Sequence, residues 1–193
     1  MATRQQHTSR TLASLLLALG LISLGVASLL QFSGKPGVEI QDTLAPKSDC
    51  VQPVSVDFPA PSISLVDLSM SEVELQDYKG NVVLVNTWAT WCPPCIAEMP
   101  DLQAFYEEHQ DKGFTLVGVN IGETRDQVLE FALKNQLTFP LWLDPEEESL
   151  RALNSISLPY SVVIDRAGTI RYAWSGATCI NALEQSVTPL IAQ

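Results

Sequence analysis

Charge is scarce in this sequence, and most of what is present is of one sign. Only 17% of the 193 residues are charged and 46% are hydrophobic, whereas a globular chain ordinarily carries about 25% charge. That excludes a disordered chain, which is polar and charge-rich. Basic residues are the rarer kind, 11 against 22 acidic ones. Two of the 11, Arg4 and Arg10, stand in the first 32 residues, which hold no acid; the other 161 residues carry 9 basic and 22 acidic side chains. A body so acidic repels phosphate, which excludes nucleic acid as a partner, and its charge serves solubility rather than fold. Histidine is limited to His7 and His109, and cysteine to Cys50, Cys92, Cys95 and Cys179. These do not make a set of four ligands at finger-like spacing, so no metal is expected, and no cofactor either. The chain has no internal repeat and no low-complexity tract.

One long apolar run is present. From Thr11 to Gly34 no residue is charged, and Leu12–Leu30 is 19 residues of Leu, Ala, Ile, Val, Ser and Gly. A helix crosses the hydrocarbon core with roughly 17–25 residues, so this run is long enough. Arg4 and Arg10 precede it and only Lys35 closely follows, which keeps the short N-terminus in the cytoplasm and exports the acidic body. The alternative is a cleaved signal peptide, whose apolar region is about 7–15 residues long and ends in a small-residue site. Gly25-Val26-Ala27 is a weak site of that kind, but Leu29, Leu30 and Phe32 continue the run past it, which favours an anchor. No cysteine stands near the end of the run, which argues against a lipoprotein. A run apolar on every face also leaves no solvated side for a soluble helix. Both readings put the body outside the cytoplasm, at the outer face of the cell membrane or in a periplasm, where disulfides persist.

After the run, Ser33 to Pro61 looks like a tether: it holds Pro36, Gly37, Pro46, Pro53, Pro59 and Pro61 and shows no sustained period. Ile63–Met70 alternates like a half-buried strand, and Val73–Tyr78 is a short element closed by Lys79-Gly80-Asn81. Val82–Val85 is continuously apolar and β-branched, which suits a central strand buried on both faces. A helix is predicted from about Pro93 to Gln110, with Met99, Leu102, Phe105 and Tyr106 at helical spacing and a kink at Pro100. Thr115–Asn120 reads as the next buried strand, and Thr124-Arg125-Asp126-Gln127 has capping-box form ahead of a second helix. Phe139–Leu143 is a short strand, and Pro145 fits the first turn of a helix through Leu153. Ser161–Ile164 and Thr169–Trp174 read as a hairpin, followed by a last helix over Thr178–Ala192 disturbed near Pro189. This order predicts an α/β domain of thioredoxin-like fold, a mixed central sheet flanked by helices, with an N-terminal hairpin extension. The expected organisation is a cytoplasmic N-terminus at 1–10, a transmembrane signal anchor at 11–32, a linker at 33–57 and the thioredoxin-like domain at 58–193.

The informative stretch is Trp88-Ala89-Thr90-Trp91-Cys92-Pro93-Pro94-Cys95, between the apolar strand and the first helix. Cys92 falls at the helix N-terminus, where free backbone N–H groups and the helix dipole favour an anion. A thiolate is such an anion, and cysteines so placed have pKa values of about 3.5–7.5. Pro93 suits the first turn, where its missing N–H costs nothing. Two intervening residues let the sulfurs meet across one turn, with Cys95 the deeper thiol. The pattern supports thiol–disulfide exchange: Cys92 attacks a substrate disulfide, and Cys95 then displaces the product from Cys92. A static disulfide and half of a zinc site are the competing readings.

At this point the chain resembles the thioredoxin-like thiol–disulfide oxidoreductases, closest to the membrane-tethered TlpA/ResA/CcmG-like group. The resemblance rests on Val82–Pro100, Val117–Glu123, Phe139–Asp144 and Leu158–Asp165. It implies that Pro159 is the cis-proline of the loop facing the dithiol, leaving Leu158 backbone groups free for a substrate strand. It implies that Glu98, one helical turn after Cys95, is half-buried, has a raised pKa and carries protons to or from Cys95. It also implies that Trp91 forms an apolar docking rim, so that Trp91, Pro93, Pro94, Leu158 and Pro159 meet the substrate. Trp88 reads as core. The chain departs from the group's pattern in its stiff Pro93-Pro94 pair, which lacks two N–H groups and alters the redox potential. It departs again in having Cys50 and Cys179. The simplest of the three pairings that four cysteines allow joins these two in a structural bridge; two free thiols, or a relay thiol, are the other readings.

The resulting expectation is an extracytoplasmic, N-terminally tethered protein-disulfide reductase. By resemblance its partners are disulfide-bearing proteins, apocytochrome c in cytochrome c maturation first among them, and a membrane electron-donor thiol protein that recharges it. The alternatives are an oxidase or isomerase of secreted proteins, using the same residues in reverse, and a copper chaperone, since Cu(I) favours soft thiolates. A peroxidase lacks a separate peroxidatic cysteine.

Overall fold

The computed structural model describes residues 50–193. The expected anchor at 11–32 and most of the expected linker lie outside the described residues. Among the described residues no helix is long and apolar enough to cross a membrane.

Among the described residues, eight strands form one sheet. They are β1 (Val54–Pro59), β2 (Ser64–Asp67), β3 (Glu72–Glu74), β4 (Val82–Trp88), β5 (Phe114–Ile121), β6 (Leu141–Asp144), β7 (Tyr160–Ile164) and β8 (Thr169–Ser175), in the spatial order β1-β8-β7-β4-β5-β6-β2-β3. The sheet is mixed: β4, β5 and β6 are parallel, while β7 runs antiparallel to β4, and β2 antiparallel to β6 and β3. The helices are α1 (Pro93–His109), α2 (Arg125–Asn135), α3 (Glu148–Ala152), α4 (Ile180–Ser186) and α5 (Thr188–Ile191).

The continuous apolar run at Val82 forms the centre of the sheet because only a strand covered on both faces can hide it. All seven residues of β4 are buried. Val82 and Leu84 face one core with Leu102 and Phe105 of α1, Val128 of α2 and Leu183 of α4. Val83 and Val85 face the other, with Val117, Trp142 and Leu150. The period of two along the strand thus divides the molecule into two apolar layers.

Several boundaries differ from expectation. The strand expected over Ile63–Met70 is only Ser64–Asp67, because Asp67 Oδ1 accepts from Ser69 N (2.7 Å) and Ser71 N (3.0 Å) and closes a turn there. The linker expected at 33–57 gives way to a strand, because Val54–Pro59 pairs antiparallel with β8. Prolines 53, 59 and 61 make the stretch read as a tether, yet an edge strand tolerates proline at its ends. The helix expected from Pro145 begins only at Glu148, because the Asp144 carboxylate accepts from Glu148 N (2.8 Å) and Ser149 N (2.8 Å) and sets the start there. The last helix is two, α4 and α5, broken at Val187 just before Pro189. The element expected over Val73–Tyr78 is β3 followed by a 3-10 turn over Leu75–Tyr78.

Candidate active site

The dithiol sits where the central strand hands over to α1. After Trp88 the chain turns, with Cys92 N donating to Ala89 O (3.2 Å), and α1 begins at Pro93 with Cys92 as its N-cap. Two prolines open the helix at no cost in hydrogen bonds, because the first N–H groups have no partner within a helix. Their consequence lies in what reaches the sulfur. With no N–H on Pro93 or Pro94, the Cys92 Sγ accepts, among the described residues, from Cys95 N alone (3.3 Å). Cys92 and Cys95 are joined in a disulfide (S–S 2.01 Å, Cα–Cα 5.3 Å). Cys95 is fully buried, Cys92 has 4% exposure and Trp91 has 66%. The tryptophan beside the dithiol therefore stands in solvent, as a docking rim requires, while Trp88 lies in the core.

Pro159 follows a cis peptide bond at Leu158. Its neighbour is fixed at the end of the sheet where β4 leads to the dithiol: Thr87 near the end of β4 donates from Oγ1 to Tyr160 O (3.1 Å) and accepts from Tyr160 N (3.3 Å). Pro159 is buried and Leu158 half-buried.

Glu98 is not half-buried but 1% exposed, one turn along α1 from Cys95. Its carboxylate is received by two donors. Asn86 Nδ2 donates to Oε1 (2.8 Å) and the backbone N–H of Thr178 donates to Oε2 (2.8 Å). Asn86 in turn donates to Ser161 Oγ (2.9 Å), its register partner on β7. Burial raises the Glu98 pKa from 4.5 to about 7, against the lowering effect of the Thr178 and Asn86 hydrogen bonds and with a small push from the Asp101 charge. A carboxyl poised near neutrality can give and take a proton at working pH.

Sequence reasoning passed over several residues here. Asn86 is a polar side chain inside an otherwise apolar buried strand, which by itself signals a required partner. Thr178 contributes a backbone N–H, which no side-chain pattern marks. Glu123 is the third. Its carboxylate accepts from Thr90 N (2.6 Å), from Asn120 Nδ2 (2.7 Å) and, through Oε1, from the Thr90 hydroxyl. It thereby clamps the turn that presents Trp91 and Cys92. Cys50 and Cys179 are joined in a second disulfide (S–S 2.14 Å, Cα–Cα 5.5 Å), with Cys179 at the N-cap of α4. Among the described residues, Glu108, His109 and Glu184 bring candidate metal-ligand atoms within 4.8 Å of one another, at the opposite end of α1 from the dithiol.

Known proteins resemble this chain over most of the described residues. The AhpC/TSA family model matches residues 56–173. The thiol-disulfide oxidoreductase ResA of Geobacillus kaustophilus (strain HTA426) is 36% identical over 132 residues, covering 68% of this chain and 76% of that protein. The thioredoxin-like protein YneN of Bacillus subtilis (strain 168) is 37% identical over 132 residues, covering 66% and 76%. Among solved structures, a thiol:disulfide interchange protein of the thioredoxin family from Chlorobium tepidum TLS superposes with a TM-score of 0.63 at 28% identity, covering 72% of this chain and 99% of that one. StoA from Bacillus subtilis does so with a TM-score of 0.54 at 30% identity, covering 68% and 96%. With the dithiol at a helix mouth and this likeness over most of the relatives' length, the chain belongs to the AhpC/TSA family and, within it, to the thioredoxin-like thiol–disulfide oxidoreductases of the ResA type.

Proposed function

We propose that this chain is a membrane-anchored, extracytoplasmic protein-disulfide reductase in which Cys92 attacks, Cys95 resolves and Glu98 carries the proton. The observation that carries the reading is a Cys92–Cys95 disulfide at the start of α1 with a buried carboxyl one turn further along. In the reduced enzyme the Cys92 thiolate attacks one sulfur of a substrate disulfide, forms a mixed disulfide and releases one substrate thiolate. Cys95 passes its proton to the Glu98 carboxylate and attacks the Cys92 sulfur. Cys92–Cys95 closes, the second substrate thiolate leaves, and two electrons have moved to the substrate. Trp91 and the Leu158–Pro159 backbone supply the surface on which the substrate strand docks.

The poverty of donors at Cys92 favours the reducing direction. An oxidant is strong when its reduced thiolate is stabilised, and here the Pro93-Pro94 pair leaves that sulfur one backbone N–H. The apolar run at 11–32 is read as the anchor, and the body is read as exported. The substrate is read as apocytochrome c with an oxidised haem-binding cysteine pair, and the electron source as a membrane thiol protein. A Cys95→Ser chain expressed in cells leaves substrates trapped on Cys92. Trapped apocytochrome c supports the reading, and a broad set of secreted proteins replaces it with an oxidase. A reduction potential as high as about −120 mV against glutathione overturns the reducing direction.

A further inference from the structure

The second disulfide lies next to the proton site. The chain passes from β8 into the first residue of α4 over Gly176–Ile180, and each of these five residues is tied down. Gly176 N donates to Pro159 O (2.9 Å), and Ala177 O accepts from Val51 N (2.8 Å). Thr178 N donates to Glu98 Oε2 (2.8 Å). Cys179 is bonded to Cys50, and Ile180 N donates to Asp101 Oδ2 (3.1 Å). One short crossing thus touches the cis-proline loop, the buried carboxylate and the second disulfide in sequence. Val51 packs on it closely: a Cβ on Gly176, whose φ is +105°, would meet Val51 Cγ2 at 2.9 Å. The Thr178 hydroxyl does not hold the crossing by a hydrogen bond, because its buried Oγ1 has no partner among the described residues. The N–H of Thr178 is kept on Glu98 by what fixes its neighbours.

Of those ties the covalent one is the strongest and sits one residue away. The Cys50–Cys179 bridge joins positions 129 apart in sequence and clasps the segment before β1 over the crossing. Both of its cysteines are half-exposed, whereas the Thr178 N–H it backs is buried against Glu98.

We propose that the Cys50–Cys179 bridge is a positioning element of the redox site: by fixing the Gly176–Ile180 crossing it holds the Thr178 N–H on Glu98, and so sets how readily Glu98 exchanges a proton with the dithiol. The proposal rests on the reading of Glu98 as the proton carrier. Among the described residues, Asp101 on α1 is the charged group acting on Glu98, and Cys95, three positions earlier on the same helix, is the nearby titratable one when the dithiol is reduced. β4 contributes neutral Asn86, β7 neutral Ser161 behind it, and the crossing contributes Thr178. Removing the Thr178 donor withdraws the first of the two contacts that favour the charged carboxylate, so the proton is held more tightly.

The test follows the protonated Glu98 carbonyl band by infrared spectroscopy across pH in the oxidised full-length chain. Glu98→Gln identifies the band. Cys50→Ala and Cys179→Ser, each alone, are expected to move its midpoint upward by about half a unit or more, since a hydrogen bond to a charged group is involved. Both variants give the same shift, because the bridge needs both sulfurs. An unchanged midpoint overturns the proposal, and so does a shift in one variant only. A disulfide acting only on the unfolded chain changes stability without touching a folded-state titration, so a fall of the midpoint to the ordinary carboxylate range, the mark of unfolding, overturns it as well. The two readings fail separately. If no band near neutrality vanishes in Glu98→Gln, the proton-carrier reading is lost; if the band is present and the cysteine variants leave it in place, only the positioning role of the bridge is lost.

Discussion

Cys92–Cys95 spans three residues, is buried and sits at the mouth of α1, whereas Cys50–Cys179 spans 129, is half-exposed and joins the chain before β1 to the N-cap of α4. The entropy removed from the unfolded chain grows with the size of the loop closed. The loop model gives about 2 kcal/mol for the short bridge and about 5 kcal/mol for the long one. The short bridge therefore contributes little to the fold and is placed where a thiolate is favoured, so its opening and closing can serve as chemistry. The long bridge holds the fold more than it can react. Cysteines of one type, in one small domain, are divided by loop length and local field into a reagent and a fastener.

The largest expected effects set the two apart. Cys92→Ser removes the attacking sulfur and takes reductase activity to background, because Cys95 is fully buried and cannot meet a substrate disulfide, while unfolding free energy falls by only about 2 kcal/mol. Cys50→Ala reverses the pattern. It leaves catalytic turnover present and lowers unfolding free energy by up to about 5 kcal/mol. If insulin-type reductase assays and urea unfolding showed the two variants affecting activity and stability alike, the division between reagent and fastener would collapse.

Glu98 ties the two bridges together and gives the next effect in size. Its carboxyl is held near pKa 7 in the folded protein against 4.5 as the ordinary value. The folded state therefore binds this proton more tightly than the unfolded chain does. That contributes stability fully present below about pH 4.5 and lost as pH rises through about 7, roughly 3 kcal/mol in all. Glu98→Gln, which does not titrate, flattens that part of the stability–pH curve. In reductase assays it also removes the rise of rate with pH that accompanies formation of the carboxylate. A curve of the same slope in wild type and variant would remove Glu98 from both roles.

Much of this is legible in the sequence. Val82–Val85 marked the central strand because a β-branched run without polar relief needs cover on both faces, and Cys92 with Pro93 marked the start of α1. Trp91, Glu98 and Pro159 were reached through resemblance. What stayed hidden has a common cause. Asn86, Thr178 and Glu123 act through tertiary hydrogen bonds, across 12, 80 and 33 residues respectively, and one-dimensional periodicity does not encode such partners. The depth of Glu98 was missed for the same reason, because its cover comes from the crossing after β8. Edge strand β1 was hidden by its flanking prolines, which a tether and a strand edge share.

The smallest expected effect tests the proposed reducing direction of the short bridge. Pro93 and Pro94 leave Cys95 N as the donor to Cys92 Sγ. Pro94→Ala keeps the first proline and the helical backbone, and returns one N–H to the second position of α1. That group points toward the N-cap, where the dipole already favours an anion. The added donor should lower the Cys92 thiol pKa by about half a unit. A more stable thiolate means a more stable reduced form, so the reduction potential rises by about 15 mV. Alkylation rate against pH reads the first quantity and equilibration with glutathione the second. They must move together, the pKa down and the potential up. A potential that stays put while the pKa falls would mean that the stiffness of the proline pair, rather than its missing donors, sets the redox balance of this dithiol.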